Sequence, residues 1–307
     1  MSYYIRTFET PTGISSTQVW KIGADTAVRL GVSNPENGPG CYFRAVPGES
    51  IWDTIRRMTP WFEPDGKCPF HKTELNPGEY YPRMARPSDQ HPLEAPGACP
   101  GAASDANFVA GAQGQLATLV RQLNRICQTV QPVPANFASF GHDIRNLLIL
   151  ACTEVESHWR GVLAANGVIL DRPSTDDYIK LRAAMRLDEY AVRFRSYPWL
   201  EPARPFAGWR SSGKPSQDLV WYTAYNAVKH DRENEFFRAS LENALASVAA
   251  CVVMMVAEFG IADGLGQSSE FWANFDIPEV PSWPLSDVYL YPYGEASRDW
   301  RAVTHPF

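Results

Sequence analysis

The chain lacks an apolar stretch long enough to span a bilayer. The longest, Ala244 to Ala257, is closed by Glu258, whereas a spanning helix needs about 20 apolar residues. No basic-then-apolar leader opens it, because Met1-Ser-Tyr-Tyr-Ile-Arg6 runs straight into mixed polar sequence. Basic charge is not in excess either: 28 Lys and Arg against 34 Asp and Glu leave a formal net charge of −6. That balance excludes broad wrapping of nucleic acid but leaves room for one local basic groove. There is no glycine-rich phosphate loop, no nucleophile elbow and no His-Glu-x-x-His run, and Gly111-Ala-Gln-Gly114 is too short and sits in helical sequence. These absences predict a soluble, cytoplasmic protein with no membrane partner.

Cysteine is sparse. Six, at 41, 68, 99, 127, 152 and 251, are too few in 307 residues for a disulfide scaffold. Cys127, Cys152 and Cys251 fall in apolar helical patterns and read as buried thiols. Cys68-Pro-Phe-His71, with His91 and Cys99, is a candidate tetrahedral structural zinc site in a loop-rich region. Only its first pair has ligand-like spacing, so the expectation is of no cofactor beyond such a zinc.

What is present divides the chain by texture. Residues 1–105 hold 13 prolines and 10 glycines, which rules out long helices there. Strand-like pieces appear at Tyr3 to Phe8 and Thr26 to Val32, and one helix is expected near Ser50 to Met58. Aromatics persist (Tyr42, Phe43, Trp52, Trp61, Phe62, Tyr80, Tyr81), so the segment must pack on something. Glu94 to Ser104 reads as a linker.

Helical periodicity then takes over. Helices are expected from Asn107 to Val130, from about Phe137 to Asn166 with Gly167 as C-cap, and from Ser174 to before Pro198. Two more are expected from Ser216 through His230 and from about Asn234 to Phe259. Residues 268–307 return to proline and aromatics, with Val288 to Gly294 and Trp300 to Val303 as a candidate hairpin. The expected fold class is mainly α: an antiparallel bundle of about five helices over residues 106–267. A loop- and strand-rich extension (1–105) and a C-terminal tail (268–307) are expected to pack on it and on each other.

The most informative stretch is Trp221-Tyr-Thr-Ala-Tyr-Asn-Ala-Val-Lys-His-Asp-Arg232. On a helix Asn226 and His230 project from one face, Lys229 and Arg232 flank them, and Trp221, Tyr225 and Val228 form the apolar stripe. An amide, an imidazole and two cations suit a phosphodiester: cations meet its charge, and an imidazole moves protons near neutral pH. The plainer alternative is a helix end whose cations complement the last carbonyls. Upstream, Glu154 pairs by spacing with His158 and Glu156 with Arg160. Between residues 193 and 214, Arg193, Arg195, Arg204, Arg210 and Lys214 face a single acid, Glu201, among Phe194, Tyr197, Trp199, Phe206 and Trp209. Such a mixture holds single-stranded RNA by phosphate pairing and base stacking, or else anchors a loop by its rings and coats it with arginines.

A late helix with asparagine and, four residues on, histidine, followed by a long apolar helix, resembles the HEPN superfamily of toxins, defence effectors and RNA-processing modules. The resemblance spans roughly residues 107–260. It implies metal-independent cleavage of RNA with Asn226 and His230 at the motif positions, and Tyr225 where the family usually carries arginine. It also implies a supporting acid, Glu154 or Glu156, on an early helix, a homodimer, and a toxin–antitoxin or phage-defence partner protein. The family pattern supplies no substitute for the arginine; the flanking cations Lys229 and Arg232 are this chain's own candidates for that place. Two other readings remain: an inactive HEPN-like RNA- or nucleotide-binding or dimerisation module, and a structural protein whose aromatic extensions make interaction surfaces.

Overall fold

The computed structural model describes every residue except 10–14, 60–67, 93, 212, 267–268 and 294–298; Trp61, Phe62 and Gly294 thus lie outside the described residues. In chain order the strands are β1 (Ser2–Glu9), β2 (Ser15–Ile22), β3 (Thr26–Arg29), β4 (Tyr42–Arg44), β5 (His71–Lys72), β6 (Glu79–Tyr80), β7 (Ala191–Phe194), β8 (Phe275–Glu279) and β9 (Arg301–Ala302). The helices are α1 (Ile51–Met58), α2 (Ala106–Thr129), α3 (His142–Ala165), α4 (Thr175–Tyr178), α5 (Lys180–Met185), α6 (Pro215–Asp218), α7 (Val220–His230), α8 (Arg232–Glu235), α9 (Leu241–Leu265) and α10 (Ser269–Asn274).

The mainly α expectation is corrected. Of the chain 48% is helical and 16% strand, and the strands include a five-stranded antiparallel sheet in the order β4-β3-β2-β1-β5. This is a mixed α and β protein rather than a five-helix bundle with minor strands. The longest strand without a clear sequence signal is β2, eight residues that pair with all of β1 from Ser2↔Ile22 to Glu9↔Ser15. Its alternation is visible only from Val19 onward, because serine and threonine fill its first half.

The chain divides into two compact units. The first comprises Met1–Tyr80, Arg86–Gly97 and Ser282–Ala302. Its sheet is buried on both faces: Trp20, Ile22, Phe43 and Phe70 pack with Ile51 and Ile55 of α1, while Ile5 and Val19 pack with Val288 and Leu290. Successive strand residues point to opposite faces, which is how Val19 and Trp20 reach different cores. The hairpin expected between Val288–Gly294 and Trp300–Val303 does not form as such: β9 pairs parallel with β6 instead.

The second unit comprises Tyr81–Ala85, Ala98–Pro281 and Val303–Phe307. Its axis is α9, which packs on α2, α3 and α7. The expectation of no apolar stretch long enough to span a bilayer is corrected: among the described helices α9 meets that length and composition, although 89% of its apolar window is buried. An apolar helix enclosed by others fits a core position. It breaks at Gly260 (φ 84°, ψ 172°), a backbone conformation that glycine adopts without steric cost. At that break Ala85 N donates to Ala257 O at 2.9 Å.

Boundaries of α2 lie within a residue of expectation, and α1 starts after Ser50, whose side chain accepts from Asp53 N. The helix expected from Ser174 to Pro198 is corrected. Ser174 and Asp177 do form a capping box, but Arg186 turns left-handed (φ 53°) and Ala191–Phe194 becomes β7, paired with β8. A partner more than 80 residues away overrides local helical pattern there.

Candidate functional site

Helix α7 presents two faces. Trp221, Tyr222, Ala224, Tyr225 and Val228 are buried and seat it in the second unit. Their centre is Trp159 of α3, with ring centroids 5.2 Å from Trp209, 5.4 Å from Tyr222 and 6.3 Å from Trp221. Trp221 Nε1 donates to Pro205 O at 2.8 Å, which fixes the rotation of the helix. That rotation turns Asn226, half-buried, and His230, exposed, outward together. Neither makes a hydrogen bond or ion pair to another described residue. Lys229 and Arg232 are exposed beside them, at the end of α7 and the start of α8.

A polar lattice lies under this face. Lys229 Nζ donates to Tyr225 Oη at 2.8 Å and lies 4.8 Å from the same ring's centroid. Tyr222 Oη donates to Glu156 Oε1 at 2.6 Å, and Arg160 Nε to Tyr178 Oη at 3.0 Å. The hydrogen bond to Tyr225 raises the pKa of Lys229, and the charge of Glu156 adds to it against partial burial. Burial first, and then Glu156, pushes the Tyr222 phenol well above its ordinary range. The site therefore carries a positioned cation and the neutral Tyr222 phenol on the same helix as an imidazole with no partner among the described residues. The position where the resemblance lacks arginine, Tyr225, is buried, and its hydroxyl holds the neighbouring lysine.

Glu156 belongs to this lattice. Glu154 does not: its Oε1 lies 3.4 Å from His158 Nε2. His158, 2% exposed, also places Nδ1 2.6 Å from Oε1 of the fully buried Glu258, whose Oε2 accepts from Arg83 Nε at 2.7 Å. Burial opposes charge on His158, but Glu258 and Glu154 outweigh it and lift its pKa to about 9. Arg83 reaches Glu258 across Gly161, where a Cβ would stand 1.8 Å from Arg83 Nη1. The sequence contained one sign of this centre: a lone acid, Glu258, closing a long apolar run, where an unpaired charge is costly.

The basic and aromatic stretch is divided by the fold. Trp209 is 1% exposed with Nε1 donating to Pro215 O, so its face is closed to a base; Phe194 and Phe206 are buried too. Arg193 and Arg195 pair with Asp276, and Arg210 donates to the Asp188 carbonyl. Lys214 is exposed. Phe194, Phe206 and Trp209 thus anchor the loop, while Trp199 stands 50% exposed. For zinc, Cys68, His71 and His91 are exposed and Cys99 is buried, and among the described residues no group of three or more His, Cys, Asp or Glu is placed to hold a metal. Compared with known protein families, curated proteins and solved structures, the chain matches none.

Proposed function

We propose that the exposed end of α7 is a HEPN-like, metal-independent endoribonuclease site, serving a cytoplasmic toxin or phage-defence protein that acts as a homodimer with an antitoxin or defence partner. The observation that carries this reading is the outward pairing of Asn226 and His230 beside Lys229, whose ammonium is held in place by Tyr225. His230 removes the proton of an RNA 2′-hydroxyl, and the freed oxygen attacks the adjacent phosphorus. The P–O5′ bond breaks, the leaving oxygen takes a proton from water, and a 2′,3′-cyclic phosphate and a 5′-hydroxyl result. Asn226 orients the phosphate, and Lys229 stabilises charge on its oxygens where the usual arginine is missing.

The test is cleavage of varied RNAs by the full chain in a metal chelator. His230→Ala is expected to lower the rate at least about 100-fold, as general-base loss does, with the circular dichroism spectrum unchanged. Lys229→Ala lowers it too, Lys229→Arg restores it, and 2′-deoxy substitution at the scissile nucleotide blocks it. Wild type and His230→Ala equally inert would end the nuclease reading. RNA affinity retained in that case selects the binding module, for which the buried Tyr225 in place of arginine is the supporting observation.

A further inference from the structure

A second feature of the helical unit has no part in that chemistry. At the N-terminal end of α7, about three turns from His230, lies a cavity of about 440 Å³, within the size range of small-molecule sites. Its walls are Phe137, Phe194, Trp199, Trp221 and Leu245. The polar edges of both indoles are already committed: Trp199 Nε1 donates to Pro132 O at 2.7 Å and Trp221 Nε1 to Pro205 O at 2.8 Å. What these rings offer an occupant is carbon and π-density, with no donor. Trp199 is pinned in this way while 50% exposed.

The charged residues at the cavity are Glu201, Arg204, Asp218 and Glu242. Arg204 is held by both carboxylate oxygens of Glu279, so its charge is matched. Asp218 accepts from Lys214 N at 3.0 Å. The Glu242 carboxylate has no hydrogen-bond or ion-pair partner among the described residues, while its backbone N donates to Phe137 O at 3.2 Å. Three carboxylates, Glu201, Asp218 and Glu242, thus line the cavity against one guanidinium, Arg204. An organic anion is repelled, a neutral apolar molecule ignores the field, and a cation with an apolar body uses both walls and rim. A second cavity shares Pro134, Phe137, Val220 and Glu242 with the first, and Val220, Phe140 and Phe237 at its edge are more than half exposed. An occupant thus has room to extend.

We infer that this cavity binds an apolar organic cation, an aryl or alkyl quaternary ammonium. The aromatic walls take its body by contact and cation–π attraction, and Glu242 and Glu201 face its charge. The probe is phenyltrimethylammonium, compared with its carbon isostere tert-butylbenzene and with benzoate, on the full chain by saturation-transfer NMR and tryptophan fluorescence. The ammonium is expected to bind at least ten-fold tighter than the isostere, and benzoate not at all. The double variant Glu201→Gln, Glu242→Gln should bring ammonium and isostere within about three-fold of each other. Ala246→Phe, which puts a ring into the cavity from α9, should abolish binding. Trp199→Ala, at an exposed wall, gives a second reading if the α9 variant does not fold, and should weaken the ammonium at least five-fold. Equal binding of the three probes overturns the inference. So does ammonium binding untouched by the wall variants, which would report only diffuse attraction to a chain of net charge −6.

Discussion

Glu258→Ala is expected to destabilise the helical unit by about 3–5 kcal/mol, the usual consequence of removing one member of a buried ion network. His158 would keep a proton with only the half-buried Glu154 to meet it, and Arg83 would lose the carboxylate that holds it over Gly161. The same network makes stability depend on pH, and its sign follows from the direction of the shift. The folded-state pKa of His158, about 9, lies above the ordinary value near 6.5. Its contribution is complete below about pH 6.5 and is lost as pH rises through about 9. The full amount is on the order of 3 kcal/mol. Thermal unfolding followed between pH 6 and 10 should show Tm falling across that window in the wild type, and a lower, flatter profile in Glu258→Gln. A wild-type Tm that rises or stays level over the window would show that His158 is neutral in the folded protein.

Trp159→Ala is the second large effect, expected to cost about 3–5 kcal/mol as aromatic truncation in a core does. Trp159 is wholly buried, and besides Trp209, Trp221 and Tyr222 it has Tyr178 at 4.9 Å and Phe206 at 6.2 Å between ring centroids. Removing the indole opens a cavity under the stripe that seats α7, so the outward aim of Asn226 and His230 should loosen along with stability. Trp159→Phe provides the contrast. The Trp159 Nε1 is buried without a partner, and an unmet buried donor costs about 1–3 kcal/mol. Losing it offsets part of the lost contact, so this variant should cost under about 2 kcal/mol. Denaturant titration of the three proteins decides the matter. A loss below about 1 kcal/mol for Trp159→Ala would mean that α7 is seated by other contacts.

The elements legible in the sequence are those whose signal is local. The α2 stripe, the Ser50 cap of α1 and the capping box of Ser174 and Asp177 each need only a few neighbouring residues, so the order of residues along the chain is enough to place them. The i,i+4 spacing of Asn226 and His230 is equally readable, because one helix suffices to put them on one face. What stays hidden depends on distant partners. The polar first half of β2 becomes a strand because β1 supplies its hydrogen bonds, and Ala191–Phe194 leaves helix because β8 supplies its own.

By itself, then, the sequence determined α2 to within a residue, the helical span that carries the candidate motif on α7 and the apolar character of α9. Helix α3 starts later than expected, at His142, the span from Ser216 breaks at Leu219 and the last helix starts at Leu241. Only the tertiary structure decided which side of each helix faces inward and which polar groups meet. The Glu154–His158 contact was legible as an i,i+4 pair, but Glu156 took Tyr222, and Trp209 went into the core instead of offering a ring to a base. The physical reason is that spacing along a helix sets direction but not depth. A buried charge such as Glu258 is tolerated only where His158 and Arg83, 100 and 175 residues away, converge on it, and no local pattern encodes that convergence.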